Sequence, residues 1–256
     1  MTWEKSRTWE VGLDWGLFSD RLTGSFGYFQ RSTYDMVGPA PELPDILGTG
    51  VPKVNNLDMT SKGWDLQIGW RDYIRDFNYG IVLTLSDNIV VIDKYPNESK
   101  NLNNYYPGAR LGDIWGFTTV GIAKTDQEMN AHLAKADQSR LGSNWSAGDI
   151  MYADINGDGV VDRGQGTAGD PGDLKIIGNS TPRFNFGLNL TAEWRGLDLK
   201  VFLQGTLKRD YWPGGEAPFW GASGIGKWQA LGLKQHLDYF RADASNHAGR
   251  SEERRV

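Results

Sequence analysis

Alternation of apolar and polar residues with a period of two is the strongest pattern in this chain of 256 residues, and it recurs in pairs of segments. In the first pair, one face carries Trp9, Val11, Leu13, Trp15 and Leu17, and the partner segment carries Leu22, Phe26 and Tyr28. The second pair covers Trp64–Trp70 and Phe77–Leu85, and the third covers Phe184–Trp194 and Leu197–Leu207. Because successive side chains of a β-strand point to opposite faces, each pair predicts an antiparallel hairpin with one apolar face.

Connections between the predicted hairpins are long, whereas the turns within them are short. The predicted loops cover Tyr34–Thr60, Asp87–Thr181 and the residues after Lys208, while the predicted turns lie at Ser19–Asp20, Arg71–Asp76 and Arg195–Gly196. Strict alternation of short turns and long loops places all the short turns at one end of the strands. This asymmetry is typical of outer-membrane barrels, whose tilted strands need about ten to twelve residues to cross the hydrocarbon layer.

Composition excludes several classes of protein. The mean hydropathy is −0.50, and no apolar run approaches the roughly 18 residues that a membrane helix requires, so a helical membrane protein is excluded. A membrane barrel is still allowed, because its alternating strands dilute any hydropathy average. The net charge of −5 argues against a nucleic-acid partner. The opening segment "MTWEKSRTWE" contains no apolar core of a signal peptide.

The polar faces favour a membrane barrel over a soluble sandwich or lipocalin-like barrel. They are built from small neutral residues, namely Asn185, Gly187, Asn189 and Thr191 in one segment and Gly80, Val82, Thr84 and Ser86 in another. A water-exposed face usually contains more Lys and Glu. Aromatic residues lie toward the segment ends, where an interfacial girdle would place them, although tryptophans that pack a soluble core would give the same pattern. The predicted fold is all-β, a partial transmembrane antiparallel up-and-down barrel with long extracellular loops.

Four stretches carry a family resemblance that covers most of residues 2–208. They are "TWEKSRTWEVGLDWGLFSDRLTGSFGYFQRST", "LPDILGTGVPKVNNLDMTSKGWDLQIGW", "GDIMYADINGDGVVD" and "IGNSTPRFNFGLNLTAEWRGLDLKVFLQG". The chain resembles the C-terminal part of SusC/RagA-type TonB-dependent transporters from the outer membrane of Bacteroidota. The resemblance implies a barrel of about 22 strands, of which this chain would contain about six. The plug domain and TonB box of the family have no counterpart in these residues.

The same resemblance implies a function without enzymatic activity. Family members import oligosaccharides or peptides, with a SusD-like surface lipoprotein as a lid and the inner-membrane TonB complex as the energy source. Two other interpretations stay open, a passive porin and a secreted calcium-binding lectin or glycoside hydrolase of sandwich type. Residues 1–249 are assigned to the barrel domain. Residues 250–256, "RSEERRV", match the translation of a common sequencing adapter and are expected to be a non-native tail.

One segment predicts a calcium site. "DINGDGVVDRGQ" matches an EF-hand loop, with oxygen ligands at Asp154, Asn156, Asp158, the Val160 carbonyl and Asp162, and glycine at the sixth position. The twelfth position is Gln165, which cannot supply the usual bidentate carboxylate, so Asp170 or Asp173 would complete the shell. No amphipathic helices flank the loop, so the chain is not an EF-hand protein. Weak structural calcium binding is predicted, and an Asx-rich turn without metal is the alternative.

Other motifs are weaker evidence for a functional site. "GASGIGKW" at Gly221–Trp228 nearly matches a phosphate-binding loop, but tryptophan replaces the magnesium-binding Ser or Thr and no buried strand precedes it. Thr125–Glu128 predicts a capping box and a short helix. The three histidines, His132, His236 and His247, show no metal or catalytic spacing. The loop aromatics could stack on sugar rings or pack the loops together, and they include Tyr105, Tyr106, Trp115, Trp212 and Trp220.

Overall fold

The computed structural model describes residues 2–38 and 53–212. Six long strands are β1 (Lys5–Leu17), β2 (Leu22–Val37), β3 (Asn55–Ile74), β4 (Phe77–Lys94), β9 (Arg183–Trp194) and β10 (Leu197–Lys208). Shorter elements lie between β4 and β9, namely β5 (Asp113–Phe117), β6 (Thr119–Ile122), α1 (Asp126–Leu133), β7 (Ile150–Tyr152) and β8 (Leu174–Asn179). No helix in the described ranges is long and apolar enough to cross a membrane.

The six long strands form one antiparallel sheet with the order β1-β2-β3-β4-β9-β10. The three predicted hairpins are therefore confirmed, and each strand pairs with the next long strand along the chain. Strand β4 pairs with β9 across the long intervening segment, which returns the chain to the sheet where it left. This up-and-down order agrees with the predicted fold class.

All three short turns lie at the same end of the sheet, as predicted. Within the hairpins, the pairs beside the turns are Leu17 with Leu22, Ile74 with Phe77, and Trp194 with Leu197. Between neighbouring hairpins, Leu22 pairs with Trp70 and Phe77 pairs with Trp194, so the three turns are side by side. The tight turns use left-handed backbone, with φ of 55° at Arg75, 47° at Arg195 and 87° at Gly196. Such positive φ values match the twist of two-residue hairpin turns.

Three strands are longer than predicted. Strands β2, β3 and β4 contain 16, 20 and 18 residues, and the turn between β3 and β4 is only Arg75 and Asp76 rather than the whole of Arg71–Asp76. The ladder between β2 and β3 continues to Val37 and Asn55 through two register shifts. The extensions of β2 and β3 are mostly polar and that of β4 contains the apolar run Ile89–Ile92, so none of them alternates strictly, but pairing there satisfies backbone N–H and C=O groups of all three strands.

The described chain contains two compact units, each with its own small core. The first unit comprises Met1–Asp113 and Asn179–Asp210, and its buried cluster consists of Leu57, Ile92, Tyr95 and Ala109 beside the extensions of β3 and β4. The second unit includes Ile114–Gly178, and its buried cluster consists of Ala123, Met129 and Met151 around α1, β6 and β7. The predicted helix start is confirmed, because Thr125 is the N-cap of α1 and its hydroxyl accepts the N–H of Glu128 at 3.1 Å. The Glu128 carboxylate accepts the Lys124 N–H at 2.8 Å rather than the Thr125 N–H of a full capping box.

Candidate functional site

The apolar face of the six-stranded sheet is exposed among residues 2–38 and 53–212. Leu13 in β1 is 64% exposed, Ile81 in β4 is 44% exposed and Leu203 in β10 is 52% exposed. The buried clusters of the first unit lie beside the strand extensions rather than on this face. The tryptophan-bearing face is thus not packed into an interior within the described residues. A continuous exposed apolar surface of this kind needs a non-aqueous neighbour.

The apolar face has the height of a bilayer core. Cross-strand pairs arrange its side chains in rows, from the row of Ile74, Phe77, Trp194 and Leu197 near the turns to the row of Val11, Tyr28 and Trp64. Trp64 and Ile74 are ten positions apart in β3, which is about 33 Å along the strand at ~3.3 Å per residue. A strand tilt of roughly 40° reduces this to a height of about 25 Å, the usual apolar band of an outer-membrane barrel.

Aromatic residues gather at both edges of this band, as predicted. At the turn end, the Phe77 and Tyr79 rings have centroids 6.0 Å apart, and Trp194 pairs with Phe77 across the strands. At the other end, the Trp9 and Tyr28 rings have centroids 5.5 Å apart. Amphipathic rings in these positions suit the headgroup levels of a membrane.

The opposite face of the sheet contains small and polar residues. One row across it contains Gly12, Gly27, Asp65, Ser86 and Asn185. Gly63, in the same face of β3, is buried, and a Cβ atom there would lie 2.6 Å from the Phe29 ring and 2.7 Å from the Asp87 carbonyl oxygen. Any larger residue at Gly63 would therefore force the neighbouring strands apart.

An ion pair joins the two ends of the long connection between β4 and β9. Arg183 donates from Nε and Nη2 to the two carboxylate oxygens of Asp87, which is buried, and the Phe184 N–H donates to the same carboxylate at 3.3 Å. The Arg183 guanidinium also lies over the Phe184 ring, 5.2 Å from its centroid. Sequence reasoning missed this pair, because residues 96 positions apart share no local pattern.

Within the predicted ion loop, side-chain oxygens accept hydrogen bonds from backbone N–H groups of the same loop. Asp154 accepts N–H groups of Gly157 and Gly159 at 2.7 and 2.8 Å, and Asp158 accepts the N–H of Val160 at 2.8 Å. Asn156 accepts the Asp158 N–H at 2.9 Å, Asp162 accepts the Gly164 N–H at 2.7 Å, and Gln165 is exposed. No three acidic or histidine side chains among residues 2–38 and 53–212 lie close enough together to hold a metal ion.

Asp173 anchors this loop at both ends. Its side chain is fully buried, one carboxylate oxygen accepts the Ile155 N–H at 2.6 Å and the Asn156 N–H at 3.3 Å, and the other accepts the Asp162 N–H at 2.9 Å. The sequence pattern suggested Asp173 as a further metal ligand. In the structure its oxygens accept backbone N–H groups of the loop. The sequence thus indicated that Asp173 contacts the loop, but its observed partners are amides.

A second support lies on the other side of the loop. Asp137 forms a parallel bridge with Val160, with the Asp137 N–H donating to the Gly159 carbonyl at 2.9 Å. The backbone N–H and the hydroxyl of Ser139 donate to the Asp137 carboxylate and hold its pKa below the usual value. The loop is thus ordered by hydrogen bonds from two neighbouring segments.

The aromatic candidates in the loops have mixed positions. Tyr105 packs against Tyr95 with ring centroids 5.8 Å apart, which favours loop packing at that residue. Trp212 is 56% exposed, whereas Trp220 lies outside the described residues. Sequence reasoning missed a cluster in the second unit, in which the Tyr152 ring centroid lies 5.5 Å from that of Phe117 and 6.3 Å from that of Trp145. Burial raises the pKa of the Tyr152 phenol.

Of the remaining sequence candidates, one lies within the described residues. His132 contacts the buried Gln138 side chain at 3.0 Å, which is a structural contact within the second unit. His236, His247, the segment Gly221–Trp228 and residues 250–256 all lie outside the described residues.

Comparisons with known proteins agree with the geometry. Residues 1–118 match the family described as "TonB dependent receptor-like, beta-barrel". TonB-dependent receptor P3 of Formosa agariphila is 25% identical over 221 residues, which is 81% of this chain and 21% of the relative. TonB-dependent receptor SusC of Bacteroides thetaiotaomicron is 23% identical over 210 residues, 81% of this chain and 20% of the relative.

Solved structures show the same fold. The structure of the RagAB peptide transporter superposes with a TM-score of 0.57 at 22% identity, covering 80% of this chain and 21% of that one. The RagAB peptide importer in its "open-open" state gives a TM-score of 0.54 at 20% identity. The chain spans about a fifth of the length of the relatives that it matches.

Proposed function

We infer that this chain is part of a TonB-dependent receptor β-barrel and forms one arc of the wall of an outer-membrane nutrient transporter. The observation that carries the proposal is the exposed apolar face of the sheet, which is bounded by aromatic residues and has a height of about 25 Å. Its six strands turn apolar side chains to the lipid and small polar side chains to the other side. Every short turn then lies at the periplasmic rim.

The proposed activity is TonB-dependent import of an oligosaccharide or a peptide. Support comes from relatives named as TonB-dependent receptors, including SusC, and from the RagAB structures, whose titles describe a peptide transporter and importer. The family resemblance adds two partners, a SusD-like surface lipoprotein and the TonB complex. The long connection between β4 and β9 would lie on the extracellular side, where such a lipoprotein could meet it, because it leaves the sheet at the end opposite the turns.

A passive porin is the competing transporter. The two differ in energy supply, because TonB-dependent import stops when the proton gradient collapses, whereas diffusion through a porin continues. The test is uptake of labelled oligosaccharides and labelled peptides by cells that express the full-length receptor, with and without a protonophore. Uptake of one substrate class that the protonophore abolishes supports the proposal. Uptake that continues unchanged would identify a porin.

A secreted calcium-binding lectin or glycoside hydrolase is the alternative from another class. Fractionation separates it from the transporter, because a barrel protein stays with the outer membrane after washing with high salt or carbonate. Recovery of the full-length protein in the soluble fraction would overturn the transporter assignment.

We further propose that the loop of Asp154–Gln165 binds calcium weakly and in a structural role. The oxygen ligands of the loop are the kind that calcium prefers. The described geometry requires a rearrangement, because the acidic oxygens now accept backbone N–H groups and do not converge. Binding would therefore have to compete with a loop that is already ordered, which agrees with a low affinity.

A further inference from the structure

A polar cavity interrupts the lipid-facing side of the sheet directly above the apolar band. It measures about 430 Å³ and is lined by Gln30, Thr60, Lys62, Ile89, Val91, Asp93 and Arg110, all within the first unit. A volume of this size lies in the range of small-ligand sites. None of the activities proposed above uses this cavity.

Strand register places the cavity on the same face as the apolar band. Gln30 pairs with Lys62, Lys62 pairs with Ile89, and Thr60 pairs with Val91, so these side chains share one face of the sheet. Gln30 is two residues beyond Tyr28 in β2, and Lys62 is two residues before Trp64 in β3. Because Trp9 pairs with Gln30 and strand side chains alternate, the cavity begins in the row of Trp9, at the aromatic edge of the band, and continues one row farther at Thr60 and Val91.

The second cation reaches this face from outside the main sheet. Arg110 forms an isolated antiparallel bridge with Val91, and the Leu111 N–H donates to the Val90 carbonyl at 2.9 Å. Cross-strand partners share a face, so the Arg110 side chain lies on the side of Lys62. Strand β3 has paired neighbours on both sides here, so the cavity does not depend on any strand beyond this chain.

The lining suits an anion with an apolar portion. Lys62 and Arg110 are exposed, and neither forms an ion pair within the described ranges. Asp93 is the one carboxylate in the lining, and the Thr60 hydroxyl already donates to it at 2.5 Å. Two cations and one partnered carboxylate leave the cavity net positive. Ile89 and Val91 supply apolar surface within the lining, and on β4 the Asp87–Arg183 ion pair separates them from Leu85 of the band.

The geometry points to a binding site for the phosphate head group of an anionic lipid in the outer leaflet. The inference rests on the proposed membrane orientation, because only that orientation places the cavity at headgroup level. A cationic cavity directly above an acyl-facing surface binds such a lipid at two points, with Lys62 and Arg110 on the phosphate and the apolar band along the chains. A free phosphate would use the cations alone.

The test measures lipid binding by the purified full-length receptor in phosphatidylcholine nanodiscs that contain lipid A, with native mass spectrometry as the readout. The double variant Lys62→Gln/Arg110→Gln should bind lipid A about thirtyfold more weakly, the loss expected for two cations at a charged membrane surface. The matched control is Arg31→Gln, because Arg31 pairs with Ser61 at the same height and faces the other side of the sheet. That variant should bind as the wild type does.

Two further measurements separate the proposed site from a folding effect and from binding of a soluble anion. The charge-preserving variant Lys62→Arg/Arg110→Lys should bind lipid A as the wild type does. If it lost lipid binding as the neutral variant does, the loss would reflect disturbed folding, and the proposed site would be overturned. Inorganic phosphate at millimolar concentration should not displace lipid A, and displacement would assign the cavity to a soluble anion instead. Equal lipid binding by the wild type and the neutral variant would also overturn the proposal. Transport is not part of the readout, so the result is independent of the import activity.

Discussion

At the scale of single residues, neighbouring positions in β4 separate the two faces of the sheet. Leu83 is 38% exposed on the apolar face, whereas the Thr84 hydroxyl donates to the Gly187 carbonyl at 3.3 Å on the other face. Leu83→Arg places a charge near the middle of the apolar band and should destabilise the barrel by about 2–4 kcal/mol. Thr84→Arg should cost much less, because its face is polar. Chemical unfolding of the full-length receptor in vesicles measures the free energy of unfolding of both variants. An equal decrease in the two would contradict the assignment of faces.

Asp173 provides a residue-scale test of how the loop is ordered. Asp173→Ala removes the acceptor of the Ile155, Asn156 and Asp162 N–H groups, and each unpaired buried group costs about 1–3 kcal/mol. Hydrogen exchange of these amides should accelerate strongly, while exchange in α1 stays slow. Asp170→Ala is the control, since Asp170 is exposed and its side chain accepts none of these three hydrogen bonds. Unchanged protection in Asp173→Ala would show that other contacts order the loop.

At the scale of structural elements, calcium should stabilise the loop of Asp154–Gln165. A dissociation constant of about 0.1–1 mM gives a stabilisation of about 1.4–2.7 kcal/mol at 10 mM calcium. Thermal unfolding of the full-length receptor, with calcium and then with chelator, measures the shift. Asp158→Asn should reduce it, whereas Glu98→Gln, an exposed carboxylate outside the loop, should leave it intact. An unfolding midpoint that is the same with calcium and with chelator would favour the metal-free Asx turn.

At the scale of the whole molecule, the described sheet has two open edges, β1 and β10. Unpaired backbone groups in lipid cost several kcal/mol each, so an arc of six strands cannot span a membrane alone. The chain of 256 residues, expressed without the rest of a barrel, should aggregate and show no heat-modifiable migration on a gel. The full-length receptor is the control and should show it. Stable insertion of the isolated chain would mean that it closes its own edges, for example by assembling with further copies.

The sequence by itself determined the strands, their faces and the position of the short turns, because alternation with a period of two and turn residues are local signals. It also located α1, through the cap at Thr125, and the acidic loop. Strand ends were less predictable. The extensions of β2, β3 and β4 show no strict alternation, because they are ordered by strand pairing and by a small cluster around Leu57 and Ile92 that forms only in the folded chain.

Which distant residues meet depends on the packing of the whole fold. The pairing of β4 with β9, the ion pair of Asp87 with Arg183 and the cavity beside Lys62 and Arg110 all join segments that share no local pattern. The acidic loop shows the same division. Its residue types predict oxygen ligands, but whether those oxygens meet an ion or a backbone amide depends on the partners, such as Asp173, that folding brings to them. Contacts of this kind follow from the packing of the whole chain, and short-range periodicity does not encode them.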